Sequence, residues 1–146
     1  MQGCYKVVLL GAKGCGKTTL VSFLRNKKYT GRYIVSSGID VYPIPLQTSY
    51  ETVILNLWDT PAQEKPLHNI FFQNAHACIG MYDNTPYSID VLKHHLETLG
   101  DIPVLQVRNK ADLTPHIINE NSISLKNGTG VSKMIKALLS KLNINK

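Results

Sequence analysis

The sequence contains no CxxC pair, no run of about 18 consecutive apolar residues, and no stretch in which lysine and arginine alternate with aromatic side chains. Each absence removes a class of protein. Three cysteines, Cys4, Cys15 and Cys78, cannot form an even disulfide framework, so a reducing compartment is expected, in the cytoplasm or the nucleus. Without a long apolar run or a charged segment leading into an apolar one, a soluble, unsecreted chain is expected. Residue 2 is Gln2 and the last four residues are Asn143-Ile144-Asn145-Lys146, so neither a myristoyl nor a prenyl membrane anchor is expected. The 16 basic and 10 acidic residues give a formal charge of +6, but the basic residues are scattered, which argues against a dedicated nucleic-acid surface. The five histidines, His68, His76, His94, His95 and His116, have no metal-ligand spacing with cysteines or acids.

What is present fits one core. A length of 146 residues, 43% of them hydrophobic, suffices for a single domain over 1–146 and is too short for two comfortable ones. Tyr5 to Leu10 is a Val- and Leu-rich run stopped by Gly11, as for a strand buried on both faces. A helix is expected to start near Gly16, with Leu20, Phe23 and Leu24 as its apolar stripe. Tyr29 to Gly38 reads as a loop. Apolar residues alternate over Ile39 to Leu46 and Thr52 to Trp58 about a polar Gln47 to Tyr50 segment, which predicts a hairpin. His76 to Tyr82 and Ile102 to Val107 read as strands joined by a helix carrying Ile89, Leu92, Leu96 and Leu99, hence a parallel crossover. Val131, Met134, Ile135, Leu138, Leu139 and Leu142 trace one face of a final helix, with Lys133, Lys136 and Lys141 off it on a solvated face.

Two motifs carry chemistry. Gly11-Ala12-Lys13-Gly14-Cys15-Gly16-Lys17-Thr18 matches GxxxxGK[ST] between a strand and a helix start. Its glycines let backbone N–H groups wrap a phosphate chain, and the helix N-terminus adds partial positive charge. Lys17 is expected to reach the β and γ phosphates and Thr18 to place its hydroxyl on Mg²⁺. Cys15 offers mainly its backbone, with a redox role as the alternative. Asn109-Lys110-Ala111-Asp112 follows an apolar strand as an NKxD pattern. A carboxylate at Asp112 can accept from both the N1 and N2 donors of guanine, a pair that adenine lacks; the alternative for Asp112 is a helix N-cap.

With both motifs in place, the chain resembles the Ras superfamily of small GTPases over essentially its whole length. The Ran branch is nearest and Rab second, on Lys17-Thr18-Thr19, Gly38-Ile39-Asp40-Val41-Tyr42-Pro43, Trp58-Asp59-Thr60, Gln63-Glu64-Lys65 and Ile102-Pro103-Val104. The resemblance implies an α/β P-loop NTPase fold, a Ras-like G domain with a six-stranded, mostly parallel sheet flanked by helices. It also implies GTP and GDP as ligands, Mg²⁺ as cofactor, and two switch loops. It places Tyr29 against the base, Tyr33 over the phosphates, Ser36 as a Mg²⁺ ligand of the first switch, Asp59 at the Mg²⁺ water shell and Gln63 as the water-positioning glutamine. Ser36 has the alternative of an ordinary loop serine, since Ser37 lies beside it. Ser124-Leu125-Lys126 takes the place of a second base loop, in which a backbone N–H reads the guanine O6.

Four departures from the family pattern bear on function. Lys13 replaces a glycine beside the γ-phosphate; it either crowds Gln63 and slows hydrolysis, or supplies a cation in cis. The Asp59-Thr60-Pro61-Ala62-Gln63-Glu64 segment has Ala62 in place of the hinge glycine whose N–H meets the γ-phosphate, with Pro61 restricting it further. Six residues separate Glu64 from Phe71, which clips the second switch helix. Eleven residues lie between Asp112 and Ser124; a strand fits there, such as Asn121 to Leu125, but a helix of ~11 residues does not, so the helix before the last strand is expected to be missing. The expected function is a monomeric guanine-nucleotide switch that hydrolyses GTP slowly, with Gln63 and Lys17 as its catalytic residues. Its expected partners are an exchange factor, an activating protein and effectors of Ran or Rab type. The alternative is a hydrolysis-poor GTP-binding scaffold or competitor for the partners of Ran or Rab proteins.

Overall fold

The computed structural model describes residues 3–12, 14–26, 40–48, 50–59, 72–97, 99–110, 122–126 and 128–144. In chain order these form β1 (Gly3–Gly11), α1 (Lys17–Asn26), β2 (Asp40–Gln47), β3 (Thr52–Asp59), β4 (Ala77–Tyr82), α2 (Pro86–Leu96), β5 (Val104–Arg108) and α3 (Val131–Lys141). The sheet has the order β2-β3-β1-β4-β5. β1 pairs in parallel with β3 and β4, β4 pairs in parallel with β5, and β2 alone runs antiparallel, against β3.

The alternation of side chains along a strand explains why β1 lies in the centre. Val7 and Leu9 point into one core with Leu20, Val21, Leu55, Leu57, Ile79, Met134 and Leu138. Val8 and Leu10 point to the other face, into a smaller core with Phe72, Cys78, Leu92 and Leu99. A continuous apolar run is what such a doubly covered strand requires, and all four of these β1 residues are fully buried. α1 and α3 cover the first face and α2 the second. Strand existence, order of elements and parallel crossover therefore agree with the sequence reading. Among the described residues no helix is long and apolar enough to cross a membrane.

Two local expectations change. In α2 the buried residues are Ser88, Val91, Leu92 and His95, whereas Ile89 is 36% exposed and Leu99 is buried from a turn beyond the helix. The stripe is rotated because Ser88 turns inward to an acidic neighbour rather than outward to water. The expected sixth strand is reduced, among the described residues, to one parallel bridge, Arg108 with Ser122, while Ser124 bridges Thr129. Eleven residues between Asp112 and Ser124 leave little chain for a longer pairing. The expected loss of the preceding helix falls on residues outside those described.

That acidic neighbour is Asp83, at the end of β4. Its Oδ1 accepts from Thr85 N (2.9 Å), Thr85 Oγ1 (2.7 Å) and Ser88 Oγ (2.8 Å). Thr85 in turn caps α2 by accepting from Ser88 N, with Pro86 in the first turn, where its missing N–H costs nothing. Burial pushes the Asp83 carboxyl up, but hydrogen bonds from Thr85, Lys110 and Ser88 outweigh it and hold the pKa at about 2. Because the folded value lies below the ordinary one, the stabilisation is complete above about pH 4 and is lost as pH falls toward 2. Asp83→Asn is expected to cost roughly 1–3 kcal/mol at neutral pH. Denaturant melts taken between neutrality and pH 2 should show the variant losing less stability with acid than the parent.

Candidate functional site

The carboxyl ends of β1, β3, β4 and β5 meet at one rim of the sheet, where helices leave to opposite faces on either side of β1. Open parallel sheets place ligands at this point. Five segments supply the rim: the loop after β1, the end of β3 at Asp59, the Asp83–Thr85 turn after β4, Asn109-Lys110 after β5, and the Ser124–Lys126 loop.

The loop after β1 turns through left-handed glycines. Gly16 has φ of 110°, and a Cβ there would strike the Asn109 side-chain amide. Only glycine permits that approach. Leu20 N then donates to Gly16 O (2.8 Å) and α1 begins, its first N–H groups facing the rim. Lys17 is buried and its ammonium donates to the Gly11 carbonyl. Burial lowers its pKa, against the opposing influence of Cys15 and Asp59. A lysine so placed, on the loop's own backbone, can turn from a carbonyl to a phosphate oxygen over a short distance.

Thr18 Oγ1 donates to Asp59 Oδ2 at 2.6 Å, joining the start of α1 to the end of β3. Asp59 is fully buried. A hydroxyl and a carboxylate oxygen at one point are hard donors of the kind Mg²⁺ takes, and a dication that keeps several waters needs few protein ligands. The chemistry of these two donors fits Mg²⁺, which Thr18 and Asp59 would hold. Among the described residues no cluster of three His, Cys, Asp or Glu side chains offers an all-protein metal site.

On the opposite side, the Asn109 carboxamide ties two loops together. Its Nδ2 donates to Cys15 O (3.0 Å) and its Oδ1 accepts from Leu125 N (3.3 Å). The Leu125 N–H, expected to be available to a guanine O6, is thus engaged by Asn109, over a long bond that a stronger acceptor can displace. Cys15 is fully buried, and burial first of all pushes its thiol pKa up, which suits a packing group. Lys110 holds a left-handed backbone, φ 63°, with its ammonium 3.0 Å from Asp83 Oδ2 and its carbonyl accepting from Asn84 Nδ2 (3.2 Å). A non-glycine residue in that region is costly and persists only where its surroundings hold it, as they do here from both ends.

The structure thus joins Gly11, Cys15, Gly16, Lys17, Thr18, Asp59, Asn109, Lys110 and Leu125 at one rim, and Gly14, Thr19, Ser124 and Lys126 lie on the same segments. Lys13, Tyr29, Tyr33, Ser36, Ala62, Gln63 and Asp112 lie outside the described residues. Sequence reasoning missed Asp83, Asn84 and Arg108. Arg108 is buried, with Nε donating to Ser122 Oγ (3.2 Å) and Nη1 to Asn84 Oδ1 (2.7 Å), so it links the turn after β4 to the second base loop. The available signal was Asp83-Asn84-Thr85-Pro86, a cap sequence closing an apolar strand.

A family model described as Ras of Complex, Roc, domain of DAPkinase matches residues 6–112. The chain is also 31% identical over 133 residues to Ras-related protein Rab-7a of Dictyostelium discoideum, an alignment covering 88% of this chain and 63% of that protein. The Rab resemblance is thereby supported. The chain spans less than two thirds of the length of this curated relative. The matched segment runs from the middle of β1 to Asp112, so it holds the phosphate loop, the Asp59 strand end and the NKxD loop in one frame. On this match and this geometry, the chain belongs to the Ras superfamily of small GTPases.

Proposed function

We propose that this chain is a guanine-nucleotide switch, a single G domain that binds GTP and GDP with Mg²⁺ and hydrolyses GTP slowly. The observation that carries the reading is the Asn109 bridge, which fixes the phosphate loop and both base loops to one another. Phosphate binding and base selection are then parts of one rigid site. Support for the nucleotide comes from the family and from the paired motifs; support for Mg²⁺ comes from the Thr18–Asp59 contact.

In this reading the loop N–H groups and Lys17 hold charge on the β and γ phosphates, and Asp112 accepts from the guanine edge. Thr18, Asp59 and Ser36 hold Mg²⁺, which when bound supplies positive charge to the phosphate oxygens. Tyr29 and Tyr33 cover base and phosphates. Gln63 orients the attacking water in line with the leaving group. Lys13 and Ala62 stand where small, flexible residues serve that step, and this supports a low intrinsic rate. An exchange factor, an activating protein and effectors are the partners that such a switch requires. The same two substitutions support a second reading, a binder that retains GTP and competes for or scaffolds the partners of Ran or Rab proteins.

Purified protein is expected to carry GDP, and single-turnover release of phosphate from bound GTP with Mg²⁺ to be slow but measurable. Persistent unhydrolysed GTP would favour the second reading, and absence of any bound guanine nucleotide would overturn both. Lys13→Gly is expected to raise the single-turnover rate by about tenfold, equivalent to ~1.4 kcal/mol of barrier; a lower rate would instead assign Lys13 as a cation acting in cis. Replacing the acceptor by a donor in Asp112→Asn is expected to weaken GTP by at least about 100-fold and to favour xanthosine triphosphate. Competition titration with the two nucleotides reads that exchange directly.

A further inference from the structure

Arg108, the last residue of β5, is only 5% exposed, and arginine is rarely buried to that extent unless its donors are matched. Two matches are fixed by position: Nη1 donates to Asn84 Oδ1 at 2.7 Å and Nε to Ser122 Oγ at 3.2 Å. The backbone of the same residue adds a third tie, since Arg108 O accepts from Ile123 N at 2.8 Å. One residue therefore joins the turn after β4, the end of β5 and the start of the segment that leads into the second base loop.

Each tie continues toward a group that reads the base under the guanine-nucleotide reading. Asn84 uses the other end of its amide, Nδ2, to donate to Lys110 O at 3.2 Å, and Lys110 lies two residues before Asp112. Ser122 and Ile123 lie three and two residues before Leu125, whose N–H faces Asn109. A relay of contacts thus runs from Ser122 through Arg108 and Asn84 to Lys110, linking both base loops without passing through the phosphate loop. Selecting guanine needs the Asp112 carboxylate and the Leu125 N–H at a fixed separation, because hydrogen bonds weaken steeply once distance or angle slips. A planar guanidinium, with donors at fixed angles, sets such a separation; an ammonium on a flexible stem does not.

We propose that Arg108 is a positioning residue for base selection: through Asn84 and Ser122 it sets the spacing of the two base loops, and with it the preference for guanine over a base that lacks the 2-amino group. The inference rests on the guanine-nucleotide reading above. The opposing reading is that Arg108 closes the end of β5 and contributes to stability alone.

The test is competition of GDP, inosine diphosphate and ADP against a fluorescent GDP analogue, on the parent chain and on Arg108→Met, Arg108→Lys, Asn84→Ala and Ser122→Ala, with thermal melts alongside. The parent is expected to prefer GDP to both of the others. Arg108→Met should narrow the preference for GDP over inosine diphosphate by about tenfold, the order of one well-made hydrogen bond. Arg108→Lys keeps the charge but not the fork, and should narrow it nearly as much. Ser122→Ala and Asn84→Ala each remove one tie and should narrow it by about threefold; adding Ser122→Ala to Arg108→Met should bring no further loss, because that tie is already gone. If Arg108→Met fails to fold, Arg108→Lys and the two alanine variants carry the same test. Lowered melting temperatures with unchanged nucleotide preferences would overturn the proposal and leave Arg108 a structural group. So would a parental preference in Arg108→Lys, or losses that simply add in the double variant. A parent chain that binds no guanine nucleotide, or takes GDP and ADP alike, would overturn the guanine reading itself and the proposal with it.

Discussion

The side-chain amide of Asn109 is the contact on which the rest of the site depends. It reaches across 94 positions of sequence to the Cys15 carbonyl and, from its other end, to the Leu125 amide. Asn109 is only 5% exposed, so water is a poor substitute for either partner, and losing one leaves a buried polar group unpaired. An amide is suited to this position because it donates from one atom and accepts at the other. Neither a carboxylate nor an ammonium could do both. Gly16 has no side chain because the Asn109 amide fills the place where a Cβ would stand.

Beneath that bridge the charges are arranged in short neutralised groups. Asp83 meets Lys110, Asp59 lies beside Lys17 and Thr18, and Arg108 is spread over Asn84 and Ser122. Burying a charge is costly unless it is paired or well hydrogen-bonded, and each of these is. The consequence is a rim whose backbone, including the left-handed Lys110, is held from below by the turn after β4. Asn109 and Lys110 are thus fixed by contacts within the chain.

Most of the architecture was legible from local pattern. The run Tyr5 to Leu10 read as a strand buried on both faces, and glycines followed by Lys17-Thr18 located the helix start to within one residue. The final helix was visible in Val131, Met134, Leu138 and Leu139, all of which are buried. What escaped was set by tertiary contacts. Ser88 turns inward because Asp83 is there to receive it, which rotates α2 and leaves Ile89 outside, and no periodicity encodes that preference. Arg108 stands in a strand that reads as apolar, and its burial makes sense only once Asn84 and Ser122 are known to lie beside it. A sixth strand was expected, such as Asn121 to Leu125, and its reduction among the described residues to a single bridge, Arg108 with Ser122, was not foreseen.

The second base loop is closed on itself by the Ser124–Thr129 bridge and by Gly128 N donating to Ser124 O (2.7 Å), and it passes through Gly130, at φ 78°, straight into α3. α3 has no side-chain cap at its N-terminus; its first turn leans on this loop, and the loop leans on α3. The two are one cooperative piece, and they are the last part of the described fold to be synthesised. On the ribosome the phosphate loop, β3 and its Asp59 emerge well before the base loop has a helix to rest on.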